Sequence, residues 1–181
     1  MHKKKIKASF FPSIISLQNI DFLRPNKIHV LLSKANSDHL LDLYEEYYSN
    51  FLFDKKYGDL QILKKNLKIN SRFDDYKTAV FKKLCQSTLE TKDTENIIKK
   101  IFIKFKINKK KILKNFYFNL KNCIEIFNEG HEIGMHSSTH PRFSNLSFYN
   151  QKKEIIDNIR YLKKKGIFRQ NLSFVIRMVH L

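Results

Sequence analysis

Apolar positions along the chain change period several times. Residues 6–12, IKASFFP, alternate Ile6, Ala8 and Phe10 before two aromatics and a proline, which predicts a short buried strand stopped at Pro12. Residues 26–51 then carry helical spacing, with Ser37 expected as the N-cap ahead of Leu40, Leu41, Leu43 and Tyr44. Further helices are predicted over 76–89 and 94–105. The second is expected to start at Asp93 or Thr94 and to turn Ile97, Ile98, Ile101, Phe102 and Phe105 inward.

From Asn119 the punctuation sharpens. A capped helix over 120–128 should bury Leu120, Ile124 and Phe127, and Gly130 sits where a left-handed helix end is wanted. HEIGMH reads as a short strand and SSTHPRFSNLS as a loop. Ser147 then caps a long amphipathic helix whose Phe148, Ile155, Ile159 and Leu162 share one face until Gly166. Residues 171–179 read as another strand. Helix, strand, loop, helix and strand with short connections is the rhythm of an α/β protein.

Composition changes this picture little. With 181 residues and 42% apolar content the chain can fill one core. Thirty-five Lys and Arg against 17 Asp and Glu give a net charge of +18, which raises nucleic acid or anionic lipid as a partner. However, Lys, Asn, Ile and Phe are all written with A- and T-rich codons, and the basic residues scatter as short runs over several helix faces instead of forming one stripe. Nucleic acid is therefore the alternative partner, not the expected one. Cys85 and Cys123, each flanked by apolar residues, are expected to be buried free thiols. No apolar stretch reaches the roughly 20 residues that span a bilayer. The basic start followed by ASFFPSIISL is interrupted by Pro12 and lacks a signal-peptide cleavage site, which leaves the cytoplasm as the default location and predicts no membrane partner.

The segment that carries chemistry is GHEIGMHSSTHPRF, residues 130–143. His136 and His140 stand four apart, so they can face one metal ion from a single helical turn or a turn-like loop, and neutral imidazole is a zinc ligand. Two ligands alone are too few for a centre, and the same spacing occurs in ordinary surface or core pairs. Position favours the ligand reading, because the pair follows a strand, where loops of α/β proteins collect functional groups. Pro141 and Phe143 would fix the exit from the loop.

With its continuation to QKKEI, this segment resembles the polysaccharide deacetylases, carbohydrate esterase family four with the nodulation-type deacetylase domain. The second motif of that family reads H-S/T-x-x-H-P after a G-H-E-I-G-type strand. KIKASFFP is similar to the family's second barrel strand, I-x-A-T-F-F, and the helix-rich middle, residues 26–118, resembles an insertion found in some members. The resemblance implies a distorted (β/α) barrel, partial in this chain, in which an aspartate and two histidines bind a divalent metal, usually zinc. It also implies hydrolysis of a carbon–nitrogen bond other than a peptide bond, the N-acetyl group of a polysaccharide: the metal activates water, an aspartate takes its proton and a late histidine protonates the leaving amine. On that template His136 and His140 are metal ligands, and Ser137 and Pro141 order the loop.

The chain departs from the template at two places. The family's first motif, T-F-D-D, supplies the base and the metal aspartate and precedes the I-x-A-T-F-F strand. SRFDDY, residues 71–76, lies more than sixty residues after that strand and opens a helix, so Asp74 and Asp75 are expected to be helix-start carboxylates favoured by the macrodipole. Beyond the second motif the family has a strand with F-x-Y-P-Y-G, where this chain has SFVIRMVHL. One codon set for Phe174 to His180, TTT GTT ATC CGT ATG GTT CAT, reread from its third base, gives Cys-Tyr-Pro-Tyr-Gly-Ser. Residues 175–181 are accordingly expected to be out of frame, and the chain an incomplete and inactive deacetylase copy or a carbohydrate-binding remnant without metal. Sequencing the gene checks this expectation: the codons should be ATC for Ile176 and CGT for Arg177, and ATT, AGA or AGG there would remove the proline and the idea with it.

Overall fold

A computed structural model describes residues 6–168; the strand expected over 171–179 and the out-of-frame tail at 175–181 lie outside the described residues. In chain order the elements are β1 (Ser9–Phe10), α1 (Ile14–Leu17), α2 (Arg24–Leu32), α3 (Ser37–Asn50), α4 (Phe53–Tyr57), α5 (Leu60–Lys65), α6 (Tyr76–Lys83), α7 (Thr91–Lys104), α8 (Lys109–Phe116), α9 (Leu120–Asn128), β2 (Glu132–Ile133) and α10 (Phe148–Lys164). They divide into two compact units: residues 24–108 form one, and the flanking segments, through residue 23 and from residue 109, form the other.

The unit of residues 24–108 is all helical. The expected helix over 26–51 is two helices, because Asn36 leaves the helical region (φ −68°, ψ 163°) and caps α3 by accepting the His39 amide. The cap is Asn36, not Ser37. Pro25 sits in the first turn of α2, where a missing amide hydrogen costs nothing. The helix expected over 76–89 keeps α geometry only to Lys83 and continues as a π turn over Leu84–Thr88. Helix α7 begins at Thr91, one turn earlier than expected, and Glu90 precedes it without a side-chain cap bond. Its Ile97, Ile98 and Ile101 are fully buried against Leu31, Leu40, Tyr44, Phe81 and Leu84, while Phe102 and Phe105 lie at the rim. Burial also holds the Cys85 thiol neutral, far above its ordinary pKa.

The second unit contains the only sheet among the described residues: β1 and β2 in parallel, Ser9 opposite Glu132 and Phe10 opposite Ile133. Both strands are shorter than their sequence runs. Pro12 has no amide hydrogen to extend the ladder, and the Ala8 amide donates to the His131 imidazole (Nδ1, 3.2 Å) instead of to a strand carbonyl. The Glu132 and Gly134 amides donate to the Ala8 and Phe10 carbonyls at 2.9 and 2.8 Å. The fold thus combines helices with a small parallel sheet; no barrel is formed among the described residues. Helix α9 runs over its expected span, closed at the front by an Asn119–Asn122 capping box and at the back by Gly130 at φ +85°.

Helix α10 packs on this sheet. Leu162 is fully buried with Leu17, Cys123, Ile133, Met135 and Ile167, and Ile155 and Ile159 close the edge. Ser147 caps the helix by accepting the Asn150 amide, and Gly166 ends it at φ +69°. Phe148, expected on the inner face, is 80% exposed, because it lies in the first turn, before the helix reaches the sheet. No described helix is long and apolar enough to cross a membrane. Leu162→Ala should cost about 2–5 kcal/mol of stability in urea denaturation, whereas Phe148→Ala should stay within about 0.5 kcal/mol of the parent.

Candidate functional site

The loop that carries the histidines leaves β2 through Gly134 and the buried Met135. His136 and His140 are both half-buried, and their ring centroids are 4.5 Å apart with the planes tilted by 60°. The pair is presented by a loop and not by a helical turn: Ser137 and His140 both have left-handed backbone, φ +62° and +59°. Side chains other than glycine pay for such a conformation, on the order of 1–3 kcal/mol each. His140 departs further, because a residue before proline ordinarily prefers extended backbone. The two positive φ values turn the chain back on itself, and this turn brings two rings separated by three residues into contact.

Hydrogen bonds from neighbouring elements hold the turn. The His140 amide donates to Ser137 Oγ at 3.1 Å, closing it from inside. From α10, the Glu154 carboxylate accepts three bonds: the Ser138 amide (2.8 Å) and the Thr139 amide (2.9 Å) on Oε2, and the Thr139 hydroxyl (2.7 Å) on Oε1. The Ser138 hydroxyl donates to the Glu154 backbone carbonyl at 3.1 Å. One turn along, the buried Asn158 donates from Nδ2 to the Ser137 carbonyl at 2.6 Å. One turn back, Gln151 donates to the carbonyls of Phe143 and Leu146. On the other side, the Ile15 amide of α1 donates to the Ser138 carbonyl at 3.0 Å. Bonds to a charged acceptor are the stronger kind, about 1.5–3 kcal/mol each, enough to offset the backbone strain.

As donors, the two imidazoles could take two positions around a divalent ion. Among the described residues, no group of three or more His, Cys, Asp or Glu side chains is placed to hold a metal ion. Glu154 has both carboxylate oxygens engaged with the loop. Cys123 is fully buried in the core, and burial pushes its thiol up to about 11, so it offers no thiolate. The described residues therefore supply a two-donor pair and not a closed centre.

Asp74 and Asp75 belong to the other unit and have local partners. Asp75 caps α6 by accepting the Thr78 amide and hydroxyl. Asp74 pairs with Lys82, which holds its carboxyl below the ordinary range. These are helix-start roles, as the sequence predicts.

The family model described as Polysaccharide deacetylase matches residues 67–175, more than half of the chain. The chain belongs to the polysaccharide deacetylase family. Within it, the matched range takes in Asp74 and Asp75, α9, β2, the histidine loop and α10, begins inside the helical middle and leaves β1 outside. Family members act on glycans as hydrolases and are generally metal-dependent. No curated protein and no solved structure matches the chain.

Sequence reasoning placed the histidines, Ser137 and Pro141 in this deacetylase loop and missed Gln151, Glu154 and Asn158. Their spacing, three and then four residues, puts all three on one face of α10. Asn158 was the available signal, a polar residue between Ile155, Ile159 and Leu162 on the face that packs inward. Asn158→Ala leaves the Ser137 carbonyl without its donor, and should lower stability by about 1–3 kcal/mol in thermal or urea denaturation.

Proposed function

We propose that the chain is a polysaccharide deacetylase-type domain whose His136 and His140 hold a divalent cation, zinc being the first candidate, against an N-acetylated glycan. The observation that carries this reading is the pair of imidazoles at 4.5 Å, held on a hydrogen-bonded loop inside the family-matched segment. A bound divalent cation at such a pair supplies Lewis-acid polarisation of a carbonyl and a water of lowered pKa. The protein's own part is to present both rings on one side of the turn. Ser137 closes that turn through its hydroxyl, and Pro141 fixes the backbone leaving it. The barrel architecture of the family, of which β1 and β2 would be neighbouring strands, is part of the same proposal.

The reading includes no catalysis by this polypeptide on its own. A catalytic zinc ordinarily has three protein ligands and an open position, with a separate group to take the proton from water. The described residues offer two imidazoles and no carboxylate grouped with them. The ion is therefore held weakly, with no carboxylate base grouped beside it among the described residues. Two measurements test the proposal. Isothermal titration with zinc should show binding that is lost in the His136→Ala/His140→Ala double variant; equal binding by both proteins would overturn the metal assignment. Assay of the chain with an N-acetylated glycan and added zinc should give no acetate release above the blank, and turnover that disappears on His136→Ala would overturn the inactive reading.

A further inference from the structure

We infer that Glu154 is the positioning residue of the His136–His140 pair: its carboxylate, one helical turn before Asn158, holds the histidine loop in the strained backbone that brings the two rings together. This inference rests on the metal reading above for its functional meaning, and on loop geometry for its substance. Glu154 acts through Ser138 and Thr139, the two residues lying between the left-handed Ser137 and His140.

The reasons converge on this one side chain. Ser138 and Thr139 point their amides the same way, as the reversal of the chain requires, and a single oxygen, Glu154 Oε2, accepts both at 2.8 and 2.9 Å. Oε1 takes the Thr139 hydroxyl at 2.7 Å, so the carboxylate is clamped at both ends. The Ser138 hydroxyl bonds to the backbone of the same residue, which fixes the distance between loop and helix at Glu154 itself. Asn158 adds a bond to the Ser137 carbonyl but reaches only that one residue. Helix α10 is in turn anchored by the buried Leu162, so the carboxylate is carried on a rigid element. Without it, two loop amides lose their acceptor, and the positive φ values at Ser137 and His140 lose much of what offsets them.

Substitution by glutamine separates position from charge. In E154Q the side-chain amide oxygen takes the place of Oε2 and accepts both loop amides, and the amide nitrogen can donate to the Thr139 hydroxyl, so the contacts are kept and the charge is removed. Alanine removes both. The experiment uses the full chain as wild type, E154Q and E154A, with three readouts: exchange of the Ser138 and Thr139 amides by NMR, the ring-to-ring NOE between His136 and His140, and zinc affinity by titration with the metal alone. In E154A the two amides should exchange about tenfold faster or more, because bonds to a charged acceptor are lost. The ring NOE should weaken, and zinc affinity should fall about 10–100-fold, the range for groups that orient metal ligands. E154Q should lose clearly less than E154A in exchange and affinity, since the bonds are kept at the strength of a neutral acceptor. Core amides of α9 and α10 should exchange alike in all three proteins, a check that the fold persists. Unchanged loop exchange and ring NOE in E154A overturn the inference, as does a loss in E154Q equal to that in E154A. If wild type shows no zinc binding dependent on the histidines, the metal reading fails, while exchange and NOE still decide whether Glu154 positions the rings.

Discussion

The histidine loop depends on one array of partners: the carboxylate of Glu154 and, one turn away, the carboxamide of Asn158. A loop with two left-handed non-glycine residues does not hold its shape by itself, since each residue favours other backbone regions by on the order of 1–2 kcal/mol. Here the preference is overcome because the amides and carbonyl of the turn face helix α10, and the helix supplies matched partners. The cost of burying Asn158 is offset only in part, by a short bond from its Nδ2 to the Ser137 carbonyl, since its Oδ1 is buried without a hydrogen-bond partner among the described residues.

The loop and the core of its unit are linked through α10. One face of this helix buries Leu162 and, in part, Ile155 and Ile159 against the β1–β2 sheet, and the adjoining face binds the loop. Sheet packing therefore sets where Glu154 lies, and Glu154 sets where the rings lie. His131 joins the same arrangement from the strand side. Its Nδ1 accepts the Ala8 amide, which ties β1 to the residue that opens β2.

Much of the deacetylase segment was legible in the chain because the signals there are local. Asn119, Gly130, Ser147 and Gly166 mark helix ends through side-chain caps and positive φ, and each acts within a few residues. Where a cap competes with its neighbour, local reasoning slips: Asn36 and not Ser37 caps α3, and both residue types are good caps that spacing alone does not separate. Likewise periodicity marked neither the π turn after Lys83 nor the exposure of Phe148.

By itself the sequence determined β1 and β2 and the longer helices, though not the break at Asn36 or the short helices α1, α4, α5 and α8, together with the buried thiols, the helix-start place of Asp74 and Asp75 and a histidine pair with family-type flanks. Those properties are written in spacing, side-chain chemistry and short-range backbone preference. Tertiary structure alone decided that the two rings of the loop meet, that Glu154 and Asn158 hold the loop there, and that the described residues bring no third donor beside them. The physical reason is that a left-handed turn and its partners are separated by 15 to 21 residues, and no local preference encodes a bond that forms only after α10 has docked.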